Sequence, residues 1–122
     1  MLTKSEKKEK SCADLVRSEW LIREEELEKF EAKGWDDFHE YGLSFDYVEP
    51  NTFEGQTRGY YRFQLSWGGP SDEIRFYTTV AEHDNHLLDR AEYWYMDWFD
   101  GAKESVTDAR IIPELWDYLY QS

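Results

Sequence analysis

The 122 residues carry 27 acids against 14 Lys and Arg, a formal net charge of -13, with a single cysteine and a mean hydropathy of -0.87. One domain is expected at this length, the acidity works against direct binding of nucleic acid or anionic membrane, and one cysteine excludes an internal disulfide, as expected of a chain kept in a reducing cytoplasm. Aromatics make up 18% of the chain, six Trp, nine Tyr and seven Phe, which argues against intrinsic disorder and lets a core close on rings where aliphatics are few.

Residues 1–10 read as a solvated, disordered basic tail. Lys4, Lys7, Lys8 and Lys10 outweigh Glu6 and Glu9, so residues 11–122 carry -15. The tail has no apolar h-region, so no signal peptide is expected, and no apolar run is long enough to span a bilayer. Ser11 and Asp14 have the spacing of a capping box, predicting a helix over about 12–33 that ends at Gly34, with a bend near Leu21. Val16, Trp20, Leu27 and Phe30 fall on one stripe with Leu15 beside it, and Glu24, Glu25, Glu28 and Glu31 lie opposite. Residues 35–42 predict a single turn or a short second helix.

The period then changes to two. Leu43, Phe45 and Tyr47 alternate with Ser44, Asp46 and Val48, a strand pattern, and residues 50–59 form a long loop. Tyr61, Phe63, Leu65 and Trp67 mark a second strand. Gly68, Gly69 and Pro70 form a turn with Ser71 and Asp72, and Ile74, Phe76, Thr78 and Val80 mark a third strand. After a polar loop over 82–88, residues 91–99 form a fourth strand, with Tyr93 and Tyr95 on one face and Trp94, Met96 and Trp98 on the other. Asp100 and Gly101 close it. Ser105 and Asp108 are spaced as a further helix cap. Pro113 suits the first position of a C-terminal helix whose Ile112, Leu115, Trp116 and Leu119 share one face. The fold class is α+β: a four-stranded antiparallel meander over residues 11–122, with N- and C-terminal helices packed on one face as a two-layer sandwich.

Catalytic and metal chemistry finds little support. His83 and His86, with Asp84 and Asp89 nearby, offer two imidazoles on a loop, where zinc takes three or four ligands on rigid elements. Glu92 and Asp97 are the best-placed carboxylates for acid–base work, but strand alternation puts them on opposite faces. Cys12 has no neighbouring His and reads as a bystander thiol. Gly68, Gly69 and Pro70 lack the Lys and Ser/Thr of a phosphate loop. No catalytic residue, metal or cofactor is expected.

Two surfaces stand out. The first is the acidic row Glu24, Glu25, Glu28 and Glu31, continued by Asp36, Asp37 and Glu40. Successive turns place such side chains about 5–6 Å apart, comparable to the spacing of phosphates along DNA. The row therefore reads either as a mimic that enters a basic nucleic-acid channel or as a plain solvated helix face. The second is the aromatic strand. Trp94 and Trp98, with Asp97, would anchor a partner unless the N-terminal segment or a second copy of the chain covers that face.

The hairpin Leu65-Ser66-Trp67-Gly68-Gly69-Pro70 and the later strand with Glu92, Tyr93, Asp97 and Trp98 resemble a group of small proteins carried by bacterial plasmids, integrative elements and phages. The likeness spans about residues 61–102 and brings no functional residues with it. It implies an accessory role in a mobile element, such as an anti-CRISPR or antirestriction protein.

The expected function is stoichiometric inhibition of a bacterial nucleic-acid-targeting defence complex. The partner would be a protein or ribonucleoprotein with a basic channel, a CRISPR–Cas effector ahead of a restriction enzyme. The rival is a small-ligand sequestering protein that captures a nucleotide signal, its aromatics stacked on the base and Arg62, Arg75 or Arg90 on the phosphate.

Overall fold

Ser11 caps α1 (Cys12–Ala32) as its spacing predicts. Its hydroxyl accepts the Asp14 amide at 3.4 Å, and its own amide donates to Asp14 Oδ2 at 3.1 Å, which satisfies amides that a helix start leaves unbonded. The computed structural model describes residues 11–97 and 100–121; the expected basic tail and Trp98 lie outside them. α1 runs continuously to Ala32 without the bend expected near Leu21, and Leu21 and Ile22 stay exposed along it. A short 3-10 turn at Phe38–Glu40 occupies the expected second helical segment.

The sheet has five antiparallel strands in sequential order, β1 (Ser44–Val48), β2 (Tyr60–Ser66), β3 (Ser71–Val80), β4 (His86–Asp97) and β5 (Asp100–Ser105). The expected four-stranded count is therefore one short. β5 is a polar edge strand whose register on β4 runs from Asp97↔Asp100 to Glu92↔Ser105. Edge strands need little apolar content because backbone pairing holds them, so the segment carries no alternation to read. β4 likewise begins at His86, within the stretch read as loop. A register shift between Tyr77 and Thr78 offsets its first residues from the later alternation.

α2 (Ile111–Gln121) starts two residues before Pro113. The proline is third in the helix, where its missing N–H costs no bond. Ser105 ends β5 and caps no helix.

Both helices pack on one sheet face, and aromatic rings are seven of the seventeen buried residues of the core there. Trp20 of α1 meets Tyr93 at 5.5 Å. Phe38 sits among Phe30, Trp35, Phe63 and Tyr118 with ring centroids 5.0–5.8 Å apart. Trp116 of α2 packs against Phe45, Tyr61 and Phe76. These rings supply the buried area that scarce aliphatics do not. One polar cluster lies within this layer. Buried Asp72 accepts from Arg23, from the Tyr93 hydroxyl at 2.5 Å and from Ser66 across the β2–β3 hairpin. Glu26 and Tyr41 extend it at 2.6 Å.

Candidate functional site

The opposite sheet face is left open by the helices, and five of the ten Lys and Arg residues of 11–122 lie there. Residues two apart on a strand share a face, so Arg75 and Tyr77 on β3 lie beside Arg90, Glu92 and Trp94 on β4. They build a ladder of alternating cations and rings. Arg58 and Arg90 lie over Tyr77 at 5.4 and 4.3 Å, Tyr77 meets Tyr60 at 5.6 Å, Arg75 lies over both Tyr60 at 4.7 Å and Trp94 at 3.8 Å, and Lys103 caps Trp94 at 5.4 Å. Each desolvated cation–ring contact contributes about 0.5–2 kcal/mol.

Carboxylates complete the ladder. Glu73 takes the Arg75 Nε at 2.7 Å; Glu92 pairs with Arg90 and Lys103 and accepts from Trp94 Nε1; Asp46 holds Arg62 and Asp89 holds Arg58. Five cations thus meet four carboxylates on this face. Residues 11–122 carry -15, so a charge of -16 lies elsewhere.

A groove of about 740 Å³ opens at one end of the ladder. Tyr60, Arg62, Gln64, Glu73 and Arg75 line it, with Phe53 and Trp67 alongside. Trp67 is 76% exposed. It follows β2 at the tip of the hairpin that Ser66 and Asp72 tie together. The Tyr60 side chain is almost wholly buried, yet its hydroxyl has no hydrogen-bond partner among the described residues. An unsatisfied buried hydroxyl costs about 1–3 kcal/mol. Burial also raises its pKa, so at neutral pH it is a protonated donor.

Of the two aromatic anchors expected from the sequence, Trp94 lies among the described residues. Trp94 faces the open side as alternation requires, but Arg75 and Lys103 lie over its ring and leave it half-buried. Asp97 is half-buried at the end of β4, opposite Asp100. Trp67, read as the end of a strand, is the most exposed indole among the described residues. The period-two spacing of Arg75 with Tyr77, and of Arg90, Glu92 and Trp94, is the signal that marks the ladder in the sequence.

The acidic row is divided. Glu28 and Glu31 grip Arg110 at 3.2 and 2.8 Å, and Glu25 pairs with Lys29 at 3.3 Å. The Arg110 contact draws the Glu31 carboxyl below its ordinary range. Glu24 is half-buried, while Asp36, Asp37 and Glu40 are exposed, with His39 4.0 Å from Glu40. Asp37 stands at a positive φ of 60° before the 3-10 turn.

A shallow cleft of about 490 Å³ adds residues the row did not include. Glu114 and Asp117 of α2 line it together with Trp35 and Tyr118, which stack at 5.2 Å. Chain adjacency puts Asp36 and Asp37 directly after Trp35. Trp35 and the α2 residues of this cleft lie far apart in the sequence, so no local pattern could join them. The helical segments 11–40 and 106–121 together hold thirteen acids against five cations.

Cys12 is buried, its amide donates to Asp100 Oδ2 at 2.7 Å, and burial raises its thiol pKa. Such a thiol is a poor nucleophile. Among the described residues no group of three His, Cys, Asp or Glu side chains is placed to hold a metal ion, and no helix is long and apolar enough to cross a membrane. No family model matches this chain, and comparison with curated proteins and with solved structures found no match.

Proposed function

We propose that this chain is a stoichiometric, non-catalytic inhibitor of a bacterial nucleic-acid-targeting complex, a CRISPR–Cas effector foremost, acting through the acidic end of its helical layer. The observation that carries this reading is the segregation of charge. Cations on the open sheet face are matched by carboxylates, while Glu114 and Asp117 line the cleft beside the Trp35–Tyr118 stack, and the exposed Asp36 and Asp37 follow Trp35 directly in the chain. Acids flanking a stacked aromatic pair suit a basic channel: the charges take the place of phosphates and the rings contribute apolar contact. The contact surface is then not the continuous row Glu24, Glu25, Glu28 and Glu31, because Arg110 and Lys29 already occupy three of those four.

The test is titration of a purified effector with the chain while target-DNA binding is followed. Inhibition should saturate at a fixed molar ratio and weaken with added salt, since contacts to a nucleic-acid channel are salt-dependent. Charge reversal at Asp36, Asp37, Glu114 and Asp117 together should abolish it. Undiminished inhibition by that variant would sink the acidic-surface mechanism. Inhibition at clearly substoichiometric amounts would point to an enzyme instead.

A further inference from the structure

We propose that the groove beside Tyr60 is a binding site for a mononucleotide, with the base stacked on Trp67 and the phosphate held by Arg62, Arg75 and the Tyr60 hydroxyl. Three features of the groove select this ligand. The first is the unpartnered hydroxyl, a buried donor with no acceptor among the described residues. Buried polar groups are normally hydrogen-bonded, and a phosphate oxygen supplies the acceptor that the fold does not.

The second is the pairing of rings with guanidinium groups. Trp67 and Phe53 come from two different connections and line the same groove as Arg62 and Arg75. An exposed indole is a stacking platform for any base. Arg62 gives two of its N–H groups to Asp46, and Arg75 gives its Nε to Glu73. A guanidinium has five N–H donors, so both keep donors for a phosphate. Gln64 offers both a donor and an acceptor to a base edge.

The third is charge. Arg62 with Asp46 and Arg75 with Glu73 leave the groove locally balanced, two guanidinium groups against two carboxylates, on a chain that is otherwise strongly acidic, and the donors not used in these pairs face a single phosphate. The surrounding -16 repels extended polyanions, so a monomer enters where a strand does not. This site lies on the opposite sheet face from the acidic surface and does not depend on it.

Isothermal titration of the full chain with AMP, GMP, CMP and UMP, and with adenosine and inorganic phosphate separately, tests the site. At least one nucleotide should bind saturably and more tightly than adenosine or phosphate alone. Tyr60→Phe should weaken that binding about fivefold to tenfold without lowering the melting temperature, because the deleted oxygen makes no bond within the fold. Trp67→Ala should weaken it at least about tenfold with the circular dichroism spectrum unchanged. Reversing Asp36 and Asp37 should leave the affinity unaltered, which separates this site from the acidic surface. The proposal is overturned if no nucleotide binds below about 5 mM, if phosphate alone binds as tightly, or if both Tyr60→Phe and Trp67→Ala bind like the unaltered chain.

Discussion

Arg23 reaches from the middle of α1 to Asp72 on β3 through a two-pronged contact, Nε to Oδ2 at 2.7 Å and Nη2 to Oδ1 at 3.1 Å. The Asp72 side chain is 3% exposed, and it also takes the hydroxyls of Tyr93 and Ser66. One carboxylate thus ties helix, sheet and hairpin together. Breaking one partner of a buried pair leaves the other charge uncompensated. Asp72→Ala should therefore cost about 3–5 kcal/mol, read as a shift of the urea midpoint. Asp72→Asn should cost less, because the amide oxygen still accepts. A loss under about 1 kcal/mol for Asp72→Ala would mean that the cluster only decorates the core.

Gly42 links the 3-10 turn to β1 with φ at 78°, and a Cβ built there would stand 2.8 Å from the Phe63 ring and 3.3 Å from the Gln64 carbonyl oxygen. Both the backbone region and the space exclude a side chain. Gly42→Ala should destabilise the fold by about 2–4 kcal/mol, from left-handed backbone strain together with overpacking of the core. Gly34 is the internal control. It has a similar φ of 67°, and a Cβ there would meet nothing within 4 Å, so Gly34→Ala should cost only the strain. Equal losses from the two substitutions would show that Phe63 yields freely.

The local elements were legible because each announces itself within a few residues. Ser11 and Asp14 mark the start of α1; Ile112, Leu115 and Trp116 mark the buried face of α2; Tyr93 and Tyr95 alternate with Trp94 and Met96 across the sheet. β5 was not legible, since Gly101, Lys103 and Glu104 are held by backbone pairing to β4 and have no apolar period of their own. The candidate surfaces were legible as residue types but not as places. Arg110 lies far along the chain from Glu28 and Glu31, and only the packing of α2 beside α1 brings them together. Trp94 looked like a free anchor because its covering cations, Arg75 and Lys103, come from two other strands.

Arg75 is the centre of the ladder, 3.8 Å over Trp94, 4.7 Å over Tyr60 and paired with Glu73, whose side chain is 5% exposed. Arg75→Ala would uncover two rings and leave a buried carboxylate unpaired. It should cost about 3–5 kcal/mol and shift the tryptophan emission as Trp94 gains water. Arg75→Lys should recover only part of that loss, because an ammonium lacks the flat fork that stacks and pairs at once. Full recovery by lysine would assign the ladder to net charge alone.

Arg110 decides how much of the acidic row is available, and pH reports its grip. Its contact holds the Glu31 carboxyl below the ordinary glutamate range. A depressed folded pKa contributes stability at pH values above the unfolded pKa, and that contribution is lost as pH falls through the folded value. Arg110→Ala should accordingly lower the melting temperature slightly at neutral pH, and the difference from the unaltered chain should shrink between about pH 5 and 3. Asp100 is also depressed, by the Cys12 amide, but that contact is common to both proteins and cancels in the difference. The same substitution makes the helical layer one charge more negative, so long-range attraction to a basic channel should tighten binding slightly at low salt and make it fall more steeply as salt is added. A melting difference that stays constant with pH would mean that Arg110 acts through its aliphatic stem, and unchanged affinity at low salt would mean that the charge of the helical layer does not steer the contact.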